Sequence, residues 1–250
     1  MADCPDSPRD AVVPGPRWQF DGQVADCFDD MLARSIPDYH SMRDLVTRLA
    51  SRFILPGTAV VDLGASRGTG VAPLVQRFGA TVTWHLCEIS PPMLDALRAR
   101  FAGLPPQVLR IHPCDLRTDF PDCRASVILS ILTLQFTPIE HRHRILHRIA
   151  EHLLPGGVLI LVEKVLGSTF TTDTLLVEEY HRIKGEHGYT QDQIERKRLS
   201  LEGVLVPVTA AWNRDLLAAA GFAEAECFWR CLNFAGWIAR MPQNAEAQRP

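Results

Sequence analysis

The chain has 250 residues, 46% of them hydrophobic and 22% charged, with a net charge of −3. That length and composition fit one globular domain with a sizeable core. The charge supplies no basic field of the kind that binds nucleic acid without sequence preference. No apolar run reaches the length of a membrane span, and the N-terminus carries no signal-peptide core. Seven scattered cysteines without a C-x-x-C pair read as small buried hydrophobes of a reducing, cytoplasmic compartment. Of the 26 basic residues only Lys164, Lys184 and Lys197 are lysines, a bias that reads as codon composition.

Residues 1–17 form a proline-rich arm, expected to be extended or disordered. Trp18 and Phe20 then precede Val24, Phe28, Met31 and Leu32 at helical spacing, with Asp21 as N-cap. The two aromatics suit either a staple against the core or a lid over a ligand. Pro37 interrupts the helix, Ser41–Phe53 resumes it, and Pro56-Gly57 turns into the first strand. There Val60, Val61 and Leu63 form the β-branched and apolar run of a strand buried on both faces. Further strands are expected over Thr81–Glu88, Val108–His112, Ala125–Ser130 and Val158–Glu163, the last after a Pro155-Gly156-Gly157 turn. Helices alternate with them over Val71–Phe78, Pro91–Phe101 and Pro138–Leu154. A charged helical insert occupies 168–206, Thr209–Ala220 is a helix stopped by Gly221, and Ala225–Leu232 with Asn233–Met241 closes the chain as an antiparallel pair. This alternation predicts a doubly wound α/β fold with a mostly parallel, seven-stranded sheet. One domain is expected over 18–241, with a frayed tail over 242–250.

In open α/β sheets ligands lie outside the carboxyl ends of the strands. The strand exits are therefore where the chemistry is sought. From Asp62 through Gly64, Ala65 and Ser66 to Gly68, a strand runs into a glycine-rich turn and a helix start, bringing backbone N–H groups to a ligand. A Cβ at position 64 would hold that ligand away. The spacing is D-x-G-x-x-x-G, not the G-x-G-x-x-G of dinucleotide binders. Glu88, followed by Ile89, ends the second strand where an acid accepts from ribose hydroxyls, or else it caps the helix at Pro91. Asp115 and Leu116 follow the third, where a carboxylate reaches an adenine amino group. His143 and His147 have the i,i+4 spacing of a zinc pair. Arg142, Arg144 and Arg148 between them make an exposed basic helix, with no metal, the better reading.

The glycine motif and the seven-strand ending resemble class I S-adenosylmethionine (SAM) enzymes, which have a Rossmann-like methyltransferase fold. More specific runs resemble the carboxy-SAM synthases: Trp18-Gln19-Phe20-Asp21, Arg34-Ser35-Ile36-Pro37-Asp38-Tyr39, Asp62-Leu63-Gly64, Thr133-Leu134-Gln135-Phe136, Pro155-Gly156-Gly157, Glu163-Lys164, Lys197-Arg198 and Asn233-Phe234. They fall in that family's order across 18–240. The resemblance implies synthesis of carboxy-SAM from SAM and prephenate, with a partner enzyme using the product on a wobble uridine of tRNA. It implies that Tyr39, Gly64, Asp115 and Arg198 touch the SAM-derived ligand. Arg198 would pair its guanidinium with the extra carboxylate, in a homodimer where it completes the neighbour's pocket. Read from the residues alone, Arg198 in Glu195-Arg196-Lys197-Arg198 is a solvated charge.

Two positions depart from the family. Glu88 replaces aspartate, and Ile131 replaces an asparagine two residues before Thr133. Isoleucine makes no hydrogen bond, so the wall beside the sulfonium is changed. The leading expectation is therefore a small-molecule, methyltransferase-like SAM transferase. Carboxy-SAM synthesis, cyclisation of SAM to azetidine-2-carboxylate and methylthioadenosine, and a non-catalytic SAM-binding subunit stand beside it. Methyl transfer needs an aligned acceptor and, for a protonated one, a base. Glu178, Glu179 and His181 are candidates for that base, or mark a wet helical face. Tyr180 is the candidate to lie over the sulfonium as a cation–π partner.

Overall fold

The structure, a computed structural model, describes residues 8–243. The chain enters through three helices, α1 (Gly22–Asp26), α2 (Phe28–Ser35) and α3 (Tyr39–Phe53). Asp21 caps the first, its Oδ1 accepting from Val24 N at 3.0 Å. Then follow β1 (Ala59–Leu63), α4 (Ala72–Phe78), β2 (Thr83–Glu88), α5 (Pro91–Arg100), β3 (Leu109–Pro113), β4 (Ala125–Ile131), α6 (Ile139–His152) and β5 (Leu153–Leu166). The insert is α7 (Phe170–Glu186) and α8 (Gln191–Ser200). The short β6 (Val208–Thr209), α9 (Ala210–Ala219), β7 (Glu224–Cys231) and β8 (Phe234–Arg240) complete the chain.

The sheet runs β3-β2-β1-β4-β5-β8-β7, parallel through β5, with β8 antiparallel to both β5 and β7. An eighth strand, β6, pairs with the end of β5. Two residues are too few to show a period of two, so the sequence pattern misses it. Side chains alternate across the sheet. Val60, Leu86, Leu129 and Ile160 build the core on one face, and Val61, Leu63, Ile128 and Leu159 build it on the other. A third cluster gathers Trp18, Val24, Phe28 and Met31 onto Met93 of α5. It sets the entry helices across the carboxyl ends of β1 and β2. Strand order reverses between β1 and β4, the switch point where such sheets open a crevice.

Four expectations change. Pro155-Gly156-Gly157 is not a turn between elements but lies inside β5. Leu153 already pairs with Ala125, the register shifts before Val158, and Gly156 at φ +73° absorbs the irregularity. The arm is not loose throughout: Asp10 is buried, its carboxylate accepts from Tyr189 O–H, and its N–H donates to Asp30 at 2.7 Å. The rest of that expectation, residues 1–7, and the tail from 244 lie outside the described residues. In α6 Arg142 is only 2% exposed and donates to the carbonyls of Thr137, Gln135 and Val206. It is a tie between segments, not part of a basic face. Cys227 is exposed where a buried thiol is expected, because β7 slips register beside it. Among the described residues no group of three or more His, Cys, Asp or Glu is placed to hold a metal. No helix there is long and apolar enough to cross a membrane.

Candidate active site

A cavity of about 720 Å³ opens at the carboxyl ends of β1, β2, β3 and β4, roofed by α2, α3 and the insert. Tyr39, Asp62, Gly64, Ala65, Ser66, Glu88, Ile89, Asp115, Leu116, Ile131 and Tyr180 all line it. Trp18 and Phe20 line it too while packing on the third core cluster, so they serve as staple and as wall. Phe20 stands edge-on to Phe136 at 5.1 Å and to Trp18 at 6.1 Å.

The rim at β1 and β2 is held by one carboxylate. Glu88 Oε2 accepts from Ser66 N at 2.8 Å, and Oε1 accepts from Ile89 N at 2.8 Å and Ser90 N at 2.9 Å. It thereby fixes the glycine turn against the start of α5, and Ser90, free of the capping role, donates to Phe20 O. Gly64 sits at φ +73°, and a Cβ there would collide with Thr133 Oγ1, which itself donates to Leu63 O at 2.8 Å. Glycine is required by the chain's own packing, a different reason from room for a ligand. Asp62 is buried beneath this turn; desolvation pushes its carboxyl up to about 6, against the pull of Arg43. Asp115 forks onto Arg117, whose hydrogen bonds hold the carboxyl below its ordinary range.

The opposite wall comes from β5 and the insert. The Thr-Leu-Gln-Phe run ends β4 in a single turn: Leu134 N donates to Glu163 Oε1 at 3.1 Å, and Gln135 Oε1 accepts from Lys164 N at 2.6 Å. That fixes where Lys164 leaves the strand. Lys164 Nζ lies 4.8 Å from the Tyr180 ring centroid, and burial brings the amine down to about 8. Glu163 behind it is pushed up to about 8 by burial. Tyr180 thus faces lysine ammoniums rather than leaving its ring open to a sulfonium, and burial pushes its phenol up, away from use as a base.

Arg198 is placed elsewhere. Within its own chain it does not line the cavity; it is an outward residue of α8, paired with Glu195 and Glu202 at 2.7 Å each. The helical register that turns Lys197 inward turns its neighbour out. Glu178 is exposed, Glu179 is half-buried and held by Arg182, and His181 does not line the cavity. None of the three reaches the site. Sequence reasoning missed Arg43 and assigned no part to Lys164 and Lys197, all of which line the cavity. Arg43 lies against Gly70, where any Cβ would collide with the guanidinium. The rarity of lysine was the available signal for the other two.

Glycine turn, strand-exit acids and sheet order together define a SAM-dependent transferase of the methyltransferase class. A methyltransferase-domain family matches residues 60–157. Two solved structures share the fold. An O-methyltransferase family protein from Burkholderia thailandensis matches at TM-score 0.62 and 19% identity over 90% of this chain and 61% of that one. Human N-acetylserotonin methyltransferase in complex with SAM matches at TM-score 0.57 and 15% identity over 89% and 56%. Relatives of similar length are nearer in sequence. The carboxy-S-adenosyl-L-methionine synthase of Methylococcus capsulatus is 36% identical, covering 88% of this chain and 92% of its own. That of Wolinella succinogenes is 37% identical over 90% and 93%. The chain belongs to the carboxy-SAM synthase family.

Proposed function

We propose that this enzyme joins a carboxyl group to the sulfonium methyl of SAM, with prephenate as the anionic donor. The observation that carries this is Lys164, set on Tyr180 in the same cavity as the strand-exit acids. A sulfonium is itself a cation, and close like charges away from bulk water repel strongly. An anion between them removes that repulsion; a neutral methyl acceptor does not. The new C–C bond takes the place of one methyl C–H, acidified by the adjacent sulfonium. The carboxyl carbon leaves the prephenate ring, which becomes aromatic as its ring hydroxyl departs and carries the methyl proton away as water.

In this reading Glu88 and Asp115 keep lone pairs for the ribose hydroxyls and the adenine amino group. Ala65, Ser66, Ile89 and Leu116 flank the adenosyl half, and Tyr39 and Arg43 receive the methionine carboxylate. Tyr180 positions Lys164. Arg198, on the outer face of α8, reaches the carboxyl-bearing product in a second copy of the chain, so the working unit is a homodimer. The enzyme acts on small molecules, without binding nucleic acid itself, in the cytoplasm. A second reading, methyl transfer to a small acceptor, is favoured by Ile131, which lines the cavity at the end of β4 and offers no hydrogen bond.

Mass spectrometry of SAM incubated with the purified chain, with and without prephenate, tests the proposal. A product heavier than SAM by a carboxyl group, formed only with prephenate, is expected. Methylthioadenosine without any acceptor would instead mean cyclisation of SAM. Unchanged SAM in both reactions would leave methyl transfer as the better reading.

A further inference from the structure

The three lysines of the chain lie 20 and 13 positions apart in sequence, yet they meet along one wall of the fold. Lys164 Nζ is 4.8 Å from the Tyr180 ring centroid and Lys184 Nζ is 5.5 Å from it. Lys184 Nζ is also 5.2 Å from the Tyr189 ring, with Lys197 Nζ at 5.8 Å on that ring and 4.9 Å from Trp18. The result is a row in which each amine shares an aromatic ring with the next. Lys184 is 4% exposed and the Lys197 side chain 13%. Buried lysines are rare unless paired.

Pairing here is sparse. Lys197 Nζ forms a buried ion pair with Asp10 Oδ2 at 3.5 Å, and has no other polar partner among the described residues. Asp10 already accepts from Tyr189 O–H. Asp173 attracts Lys164 but accepts from Gly167 N at 2.6 Å, and nearby Asp30 is paired with Arg34. Burial depresses all three amines, bringing Lys184 to about 7, with Lys197 and Lys164 adding repulsion and Asp10 opposing it. Three amines crowded this closely, away from water and with one carboxylate among them, are an unfavourable arrangement for folding alone. A site that awaits an anion accounts for it.

We propose that Lys164, Lys184, Lys197, Tyr180 and Tyr189 form the recognition wall for the second substrate: Lys164 holds its carboxylate by contact, and Lys184 and Lys197 attract it from behind the rings. The ligand class is a carboxylate carried on an unsaturated ring. Lys164 offers the charge, while Tyr180, Trp18 and Phe234, which line the same cavity, offer flat apolar surface. The identity of the donor rests on the carboxylation reading; the anion site rests on the lysines.

Calorimetric titration of the full chain, loaded with sinefungin as a cationic SAM mimic without a transferable methyl, tests it with prephenate and with inorganic phosphate. Lys164→Gln is expected to weaken prephenate about tenfold, and Lys184→Met and Lys197→Met about threefold each. Sinefungin affinity does not fall in any of the three variants, and removal of the Lys164 charge favours it. Phosphate, which lacks the ring, binds more weakly than prephenate throughout. Lys184→Met keeps or raises the melting temperature, since it removes a buried charge and keeps the volume. Wild-type prephenate affinity in Lys164→Gln and Lys184→Met overturns the wall, even where carboxy-SAM is still formed. Phosphate binding as tightly as prephenate overturns the ring carboxylate. Lysine-dependent prephenate binding without any carboxy-SAM supports the wall and sinks the carboxylation reading alone.

Discussion

The two sides of the cavity are built by opposite means. The rim at β1 and β2 is local: Glu88 ties together Ser66, Ile89 and Ser90, within a stretch read directly from one strand, one turn and the next strand. The lysine wall is assembled from β5, α7, α8 and the N-terminal arm, and no two of its charges are neighbours in sequence. The rim centres on Glu88, whose carboxylate accepts from three backbone N–H groups. The wall consists of three amines set on aromatic rings, with Asp10 ion-paired to Lys197 alone. Under the proposed reading, a cavity so divided takes two ligands of different charge, one recognised through hydroxyl and amino groups and the other through its anionic group.

Gly64→Ala breaks the rim and has the largest expected effect. The new methyl meets Thr133 in a backbone conformation that costs any L-residue energy. A loss of about 2–4 kcal/mol of stability in urea denaturation is expected. Arg43→Leu sharpens the division, because it touches the SAM side without entering either hydrogen-bonded rim or lysine row. Titration with sinefungin is expected to show about tenfold weaker binding.

Glu163→Gln tests the wall's support through pH. Burial pushes Glu163 up to about 8, so the folded protein holds this proton more tightly than the unfolded chain, where glutamate titrates near 4.3. Its stabilising contribution is complete below that lower value and is lost as pH rises through about 8. Between about pH 5 and about pH 8 the urea midpoint of the wild type is expected to decline relative to that of Glu163→Gln, the difference isolating this one carboxyl. Arg198→Ala is the smallest effect on the isolated chain. Its solvent-exposed pairs with Glu195 and Glu202 contribute little to stability. Under the dimer reading, the same variant loses affinity for carboxy-SAM in titration while its stability holds.

This division also explains what the sequence made legible. Strands, helices and rim acids follow from hydrophobic period and glycine placement, which are properties of short windows. The extra strand β6 and the continuation of β5 through Pro155-Gly156-Gly157 do not, because each depends on what lies alongside. Lys184 sits in a charged helix and reads as surface; only tertiary packing places it between Tyr180 and Tyr189. Arg43 needs Gly70, far along the chain, to have room. Arg198 reads equally as a pocket residue or a solvated charge, and within one chain it is the latter. The scarcity of lysine was visible from the start, but composition alone gives no location.

The most direct test of carboxylation at the sulfonium methyl uses SAM carrying a trideuterated methyl group, incubated with the enzyme and prephenate and read by mass spectrometry. Carboxyl transfer replaces one methyl deuteron, so the expected product keeps two deuterons and gains a carboxyl group while remaining attached to the adenosyl sulfonium. Loss of all three deuterons together, with S-adenosylhomocysteine left behind, would show methyl transfer and contradict the carboxylation reading.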